Sequence, residues 1–299
     1  MFETKIYKTL KAIFYKGALL KAGYEFSELH FSNKEVLENL IKKEYLIYSH
    51  SIKSVDNAPK WKKRLAIITG VWKRPEVFEL FANATNKLKH ENLEIVVIVA
   101  GSEGQDSRKM VEDKGFLYIE IENQPLAAKM NATMLKAQEL NVDYCLCVGS
   151  DDLITNELLN VYNFYIQKSI DYVAVLDWYF YDVQTKAFTY WGGYTDAARI
   201  GHACGAGRLI SSNLLNKWGW AVWENRHNNI LDDSMQNKLK ITPHTSEVFK
   251  LKDKNVFAFD VKSAVNMTPF ELWDNTDVVK GKELKELENK FNSIVKCAE

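Results

Sequence analysis

The fold class of this chain is decided by one stretch, Asp143-Tyr144-Cys145-Leu146-Cys147-Val148-Gly149-Ser150-Asp151-Asp152. An apolar run ends there in a Gly-Ser pair and two adjacent carboxylates. Because the run is short and bounded, it predicts a buried strand of a parallel or mixed sheet. The two carboxylates would lie at the carboxyl end of that strand, where open α/β sheets bind their ligands.

The adjacent carboxylates Asp151 and Asp152 allow two interpretations. Left without a partner they carry a large electrostatic cost, which a divalent cation with oxygen ligands would relieve. Alternatively, an Asp at this point would cap a helix over Leu153–Asn160 by accepting hydrogen bonds from its first free N–H groups. This stretch alone does not decide between a metal site and a helix cap.

Composition limits the class of protein. The 299 residues are 46% hydrophobic and 12% aromatic, which suits a well-packed globular protein, and the formal net charge is zero. No global field therefore favours nucleic acid or a membrane surface. No apolar run approaches the ~20 residues of a spanning helix. The first residues do not resemble a signal peptide, and the four cysteines show no paired spacing, so we expect a reducing cytoplasm.

The chain divides into a small module and a larger domain. Residues 1–50 predict an accessory α+β module, with strands over Ile6–Phe14 and Tyr24–Phe31 and a helix that starts at Ser32-Asn33. Residues 51–63 are expected to form a linker, residues 64–279 the larger domain and residues 280–299 a C-terminal helix. Up to Lys63 there are twelve Lys against seven acidic residues, which would suit either an anionic partner or an ordinary solvated surface.

Strands and helices alternate through the larger domain. Strands are expected over 64–70, 93–100, 117–121 and 143–148, with helices over 76–88, 106–114 and 127–140 between them. This alternation predicts βαβ units and a parallel sheet. Further along, we expect a helix over about 153–168, a strand over 172–178, a hairpin over 180–191, helices starting at 209 and 231, and a strand over 256–261.

Three loops would meet at the carboxyl edge of this sheet, after Ile68, Ala100 and Val148. Each loop carries small or polar residues, which suits a nucleotide, because its base and ribose need polar groups and its phosphates need close backbone approach. The sequence contains no GxGxxG and no Walker loop, so dinucleotide-binding and P-loop functions are disfavoured.

Five stretches of the larger domain follow one another in a specific order: IITGVWKRPE (67–76), IVVIVAGSEGQD (95–106), NQPLAAKMNATM (123–134), DYCLCVGSDD (143–152) and NNILDDSMQNKL (228–239). Through these stretches, residues 64–250 resemble a family 2 glycosyltransferase of the GT-A fold. Each piece is short, and their order along the chain is the specific part. The resemblance implies an α/β fold with a Rossmann-type mixed sheet flanked by helices.

The same resemblance implies roles for individual residues. Nucleotide-sugar contacts would come from Thr69, Arg74, Ser102, Glu103, Lys129, Asn131 and Ser150. Mn²⁺ or Mg²⁺ would be held by Asp151 and Asp152, with His244 as a further candidate ligand. Gly149 stands where the family often has its first metal-motif Asp, which leaves metal dependence open. The pair Asp232-Asp233 replaces the usual Glu-Asp pair, and Asp233 is the expected general base.

The implied function is inverting, metal-dependent transfer of a sugar to a hydroxyl acceptor, with a UDP-sugar as the expected donor. The acceptor is open among a glycan, a lipid-linked sugar, a protein and a modified DNA base. A nucleotidyltransferase is the main alternative, although it typically needs a Gly-rich basic loop where this chain has only Gly70. A non-catalytic nucleotide-binding module is the third hypothesis, because Gly149 replaces an acid.

Overall fold

The protein is described by a computed structural model, which covers residues 3–11, 13–15, 18–20, 25–27, 34–53, 62–229, 231–263 and 276–296. The chain divides into two compact units, Met1–Trp61 and Lys62–Glu299.

The first unit combines short antiparallel strands with one helix. Its elements are β1 (Glu3–Thr9), β2 (Ile13–Tyr15), β3 (Ala18–Leu20), β4 (Glu25–Ser27), α1 (Lys34–Lys42) and β5 (Leu46–Lys53). The strand expected over Ile6–Phe14 is two strands, since β1 pairs with β4 and β5 while β2 pairs with β3. Tyr7, Leu37 and Leu46 form a small core. The helix start expected at Ser32-Asn33 lies outside the described residues.

The second unit is built on a seven-stranded sheet. Its strands are β6 (Lys63–Gly70), β7 (Leu93–Gly101), β8 (Leu117–Glu120), β9 (Tyr144–Cys147), β11 (Tyr172–Val175), β14 (Arg208–Ser211) and β15 (Ser246–Phe249), in the order β15-β11-β14-β9-β6-β7-β8. The pairs β9–β6, β6–β7 and β7–β8 are parallel. Strand β14 runs antiparallel between β9 and β11. The sheet is therefore mixed, as predicted.

Helices lie on both faces of this sheet. The helices of the unit are α2 (Pro75–Asn86), α3 (Gln105–Glu112), α4 (Leu126–Glu139), α5 (Asn156–Gln167), α6 (Ser212–Lys217), α7 (Leu231–Ile241), α8 (Leu251–Lys254) and α9 (Gly281–Val295). Of these, α2 lies on one face of the sheet and α4 on the other. Side chains of β6 alternate between two cores, because successive residues of a strand point to opposite faces. Leu65 and Ile67 pack with Phe78 of α2, whereas Ala66 and Ile68 pack in the core that contains Met134 of α4. None of the described helices is long and apolar enough to span a bilayer.

A second sheet lies within the same unit. It contains β10 (Asp152–Ile154), β12 (Trp178–Asp182), β13 (Phe188–Trp191), β16 (Ala258–Lys262) and β17 (Thr276–Val278), in the order β10-β16-β12-β13-β17. The antiparallel register of β10 and β16 places Asp152 directly opposite Asp260. Through β10 and β16, this sheet brings a distant part of the chain to the stretch that follows β9.

Two expectations for this part of the chain are wrong. Asp152 does not cap a helix over Leu153–Asn160, because Asp152 and Leu153 belong to β10 and the helix begins at Asn156. Thr155 caps that helix, and its Oγ1 accepts a hydrogen bond from the Leu158 N–H at 3.3 Å. The helix expected from Leu209 begins only at Ser212. Residues 208–211 are all buried and form β14. The sequence does not reveal this strand, because the periodicity of a short apolar run does not distinguish a strand from a helix.

Candidate functional site

A cavity of about 590 Å³ opens where the carboxyl ends of β6 and β9 meet the second sheet. Gly70 and Arg74 reach it from the loop after β6, and Gly149 to Asp152 reach it from the chain after β9. Trp178 and Asp260 line it from the second sheet, and Asp232 lines it from α7. A cavity at this edge is the expected ligand site of an open α/β sheet.

Three carboxylates converge in this cavity, from Asp151, Asp152 and Asp260. One oxygen of each lies within 4.8 Å of the other two. Asp152 and Asp260 are also direct cross-strand neighbours, an arrangement that is destabilising for like charges. Oδ1 of Asp260 is buried and has no hydrogen-bond partner. An oxygen-rich cluster with an unsatisfied carboxylate atom fits a hard divalent cation such as Mn²⁺ or Mg²⁺.

The surroundings of these carboxylates shift their titration. Burial raises the pKa of Asp152 well above its usual range, and the charges of Asp260 and Asp151 add to that effect. Burial also raises the pKa of Asp260 to about 6, although Lys262 opposes the shift. The Nζ atom of Lys262 lies 2.6 Å from Oδ2 of Asp260. Ionised carboxylates are thus costly here unless a further positive charge is present.

Gly149 is required by the geometry of this cluster. A Cβ atom at position 149 would lie 2.4 Å from Oδ1 of Asp151 and 2.8 Å from Oδ2 of Asp152. The Gly149 N–H donates a hydrogen bond of 2.5 Å to that same Asp152 oxygen. A side chain at position 149 would therefore displace these two carboxylates from their places in the cluster.

Arg74 is paired with the acidic cluster. Its Nη1 lies 2.6 Å from Oδ2 of Asp151, and its Nη2 donates to Oγ of Ser150 at 3.1 Å. The side chains of Arg74 and Asp151 are only 16% and 17% exposed, so water screens this ion pair weakly. Both residues, together with Ser150, line the cavity.

Lys129 is the second cation at the β6 end of the cavity. It is 2% exposed, and its Nζ donates to the Val71 carbonyl at 2.7 Å and to Oδ1 of Asn123 at 3.0 Å. Burial lowers its pKa to about 8. Ser102 Oγ lies 3.5 Å from the same Nζ but does not line the cavity. Lys129 therefore holds the loop after β6 in place at the cavity wall.

Three other expected nucleotide contacts lie outside the cavity lining. Thr69 is fully buried, and its Oγ1 has no hydrogen-bond partner. Glu103 accepts a hydrogen bond from the Lys73 N–H at 2.9 Å. Asn131 accepts hydrogen bonds from the N–H groups of Val222 and Trp223 and donates to the Trp223 carbonyl. In this structure Asn131 fastens the 222–225 segment to α4 rather than facing the cavity.

His244 lies apart from the acidic cluster. Its ring packs edge-on against Tyr172, with centroids 6.2 Å apart, and its Nδ1 lies 2.7 Å from the Thr242 carbonyl oxygen. Within the described residues, the three-carboxylate group of the cavity does not include it.

Asp232 and Asp233 differ in their position. Asp232 lines the cavity, whereas Asp233 is exposed and does not line it. Arg208 Nη2 lies 3.2 Å from Oδ1 of Asp232, and Arg199 Nη2 lies 3.7 Å from Oδ2. A Cβ at Gly205 would lie 3.1 Å from Oδ1, so the absence of a side chain lets this loop approach the carboxylate. Asp232 is therefore held at the cavity wall by neighbouring cations.

Four tryptophans in the second half of the chain, Trp191, Trp218, Trp220 and Trp223, divide into two pairs. Trp191 and Trp223 line the cavity. Trp218 donates to Oγ1 of Thr242 and Trp220 donates to Oδ1 of Asn216, and neither lines the cavity. Four lining residues had no distinguishing signal in the sequence, because they follow ordinary strand patterns. They are Trp178, Arg208, Asp260 and Lys262.

Structural comparison identifies the fold. No protein-family model and no curated protein matches the chain. TarS from S. aureus, a GT-A glycosyltransferase, aligns over 66% of this chain and 60% of the TarS 1–349 chain, with a TM-score of 0.52 and 14% identity. Its complex with UDP-GlcNAc aligns over 68% of this chain and 60% of that one, with a TM-score of 0.51 and 14% identity. The present chain thus spans under two thirds of TarS 1–349, and the similarity confirms the predicted GT-A fold.

Proposed function

We propose that this chain is a glycosyltransferase that moves a sugar from a nucleotide-sugar donor to a hydroxyl acceptor with the help of a divalent cation. The observation that carries the proposal is the pairing of two acidic features in one cavity. A three-carboxylate cluster suits a cation, and the separate carboxylate of Asp232 is available for proton transfer. The GT-A fold and the UDP-GlcNAc bound to TarS support a nucleotide-sugar donor, with a UDP-sugar as the first choice.

The residues around the cluster suggest how a donor is held. Asp151, Asp152 and Asp260 would bind Mn²⁺ or Mg²⁺, which neutralises the negative charge that develops on a departing diphosphate. Arg74 and Ser150 stand beside Asp151, where a diphosphate oxygen would accept hydrogen bonds from both. Lys129 fixes the loop after β6, next to which the nucleoside would lie.

Asp232 is the better candidate for the general base, in place of Asp233. A base must reach the proton of the attacking hydroxyl, and of the two residues only Asp232 lines the cavity. A single base opposite the leaving group would give inversion at the anomeric carbon. Trp191 and Trp223 offer flat apolar surfaces on which a sugar ring can stack.

Ligand-dependent stability tests the function directly. Thermal unfolding of the purified chain is measured with UDP- and GDP-sugars, with and without Mn²⁺, and donor hydrolysis is followed in parallel. We expect one class of nucleotide sugar to raise the Tm only when Mn²⁺ is present, because a bound ligand stabilises the folded state. Nucleotide affinity without sugar release would indicate a binding module. Release of pyrophosphate from a nucleoside triphosphate and a sugar phosphate would indicate the nucleotidyltransferase alternative.

The raised pKa of Asp260 predicts a pH dependence. Its pKa is about 6 in the folded chain, against ~3.9 for an unfolded Asp, so the folded state binds this proton more tightly. The stability of the metal-free protein, relative to Asp260→Asn, should therefore fall as the pH rises from ~4 to ~6. The Tm increase caused by Mn²⁺ should grow over the same window, because protons and cations compete for the carboxylate oxygens. Thermal unfolding in EDTA and in Mn²⁺ at several pH values measures both effects, and a Mn²⁺ effect that does not vary with pH contradicts the assignment.

A further inference from the structure

We infer that Arg74 is an exchangeable counter-ion that couples cation binding to nucleotide binding. The inference rests on the proposed function and concerns the order in which charges enter the cavity. The guanidinium of Arg74 neutralises Asp151 through a contact of 2.6 Å. A cation held by the acidic cluster would need the oxygens of that same carboxylate.

The charges of the cavity make this competition strong. Three carboxylates converge, and two basic side chains, Arg74 and Lys262, each lie 2.6 Å from one of them. Adding a divalent cation would bring it close to the guanidinium, and the repulsion would weaken cation binding because the side chains of Arg74 and Asp151 are only 16% and 17% exposed, so water screens these charges weakly. Arg74 therefore opposes the cation as long as it stays with Asp151.

A diphosphate would reverse the effect. It carries negative charge into the same place, and a guanidinium binds phosphate oxygens with two parallel hydrogen bonds. Arg74 can then exchange the Asp151 oxygen for a phosphate oxygen, and Asp151 is left to the cation. The hydrogen bond from Arg74 to the neutral Oγ of Ser150, at 3.1 Å, contributes little free energy, so its loss would not prevent this exchange. Cation and nucleotide would then each strengthen the binding of the other, by the same factor.

The direction of one mutational effect separates this role from a structural one. If Arg74 only orients Asp151 as a ligand, Arg74→Gln weakens Mn²⁺ binding. If Arg74 competes with the cation, Arg74→Gln strengthens Mn²⁺ binding in the absence of nucleotide. Arg74→Lys keeps the positive charge without the planar fork, so it should bind Mn²⁺ alone about as the wild type does but show weaker coupling to the nucleotide.

The experiment measures Mn²⁺ affinity of the full chain at neutral pH, with and without UDP, by electron paramagnetic resonance of free Mn²⁺ or by calorimetry. For the wild type we expect UDP to tighten Mn²⁺ binding by a factor within the usual range of coupling, on the order of 5–150-fold. For Arg74→Gln we expect at least ~5-fold tighter binding of Mn²⁺ alone and a UDP effect that is smaller than that of the wild type by about the same factor, because the direct contact between cation and diphosphate remains. Arg108→Gln is the matched control, because Arg108 pairs with Glu112 on α3, outside the cavity lining.

The outcomes separate this inference from the proposed function. A wild type in which UDP tightens Mn²⁺ binding, together with an Arg74→Gln variant that shows the same coupling, overturns the role of Arg74 and leaves the proposed function in place. Weaker or unchanged Mn²⁺ binding in Arg74→Gln, with unfolding as cooperative as that of the wild type, also overturns it. A wild type that binds neither ligand overturns the inference and the proposed function together.

Discussion

Asp232→Asn is expected to lower the rate of sugar transfer at least ~10²-fold, the scale of lost general-base catalysis, while the affinities for donor and Mn²⁺ stay within a few-fold of the wild type. The amide keeps the size of the side chain and an oxygen that can face Arg208, but it cannot accept a proton from a hydroxyl at neutral pH. Initial rates of transfer to a hydroxyl acceptor and calorimetric titration with the donor measure the two quantities.

The reason to expect loss of turnover rather than loss of folding lies in the contacts of Asp232. Its side chain is 31% exposed and faces Arg208 at 3.2 Å and Arg199 at 3.7 Å. Arg208 also donates to the carbonyls of Cys204 and Ala203, so its buried guanidinium keeps partners when the charge of Asp232 is removed. Thermal unfolding of the variant should therefore remain close to that of the wild type.

Asp233→Asn is the matched control for this prediction. Asp233 is the adjacent residue of the same helical turn, is exposed, and does not line the cavity. We expect Asp233→Asn to lower the turnover at least about ten-fold less than Asp232→Asn does. Should Asp233→Asn instead lose activity while Asp232→Asn retains it, the base is Asp233, as the family resemblance implied.

The sequence predicts the first half of the larger domain well because its periodicities are long and clear. Strands β6, β7 and β9 are apolar runs that end in small or polar residues, and α2 begins at a proline after a loop. The later elements are harder to predict, because β10 and β14 are only 3 and 4 residues long. Such segments are set by their pairing partners rather than by their own pattern.

The candidate site shows the same division between local and distant information. The stretch from Gly149 to Asp152 can be recognised in the sequence because its acids follow a strand directly. Asp260 cannot be recognised in this way, since only the pairing of β10 with β16 brings it opposite Asp152. Asn131 is predicted from the family resemblance to contact the nucleotide, and nothing in the sequence indicates that its amide forms hydrogen bonds with backbone groups of residues 222 and 223.

Asp260→Asn is expected to weaken Mn²⁺ binding at least ~10²-fold. Loss of a residue that only supports a metal ligand already weakens metal binding by up to ~10²-fold, and loss of a ligand should weaken it at least as much. The substitution removes one of the three charges of the cluster and leaves the cation with the two acids after β9. Calorimetric titration with Mn²⁺ measures the affinity. The exposed Asp113, outside the cavity lining, provides the control variant Asp113→Asn, which should bind Mn²⁺ as the wild type does.

The same substitution is expected to stabilise the metal-free protein at neutral pH, and this opposite sign makes the prediction specific. Burial and the charge of Asp151 raise the pKa of Asp260, so its ionised form costs free energy when no cation is bound. Asparagine removes the repulsion with Asp152 across the strand pair and still offers an oxygen to Lys262, which now lies 2.6 Å from Oδ2 of Asp260. If Asp260 served only as the structural partner of Lys262, the variant would lose stability and leave Mn²⁺ affinity unchanged. A lower Mn²⁺ affinity together with a higher Tm in EDTA is the result expected if the charge of Asp260 is balanced by a cation in the cluster.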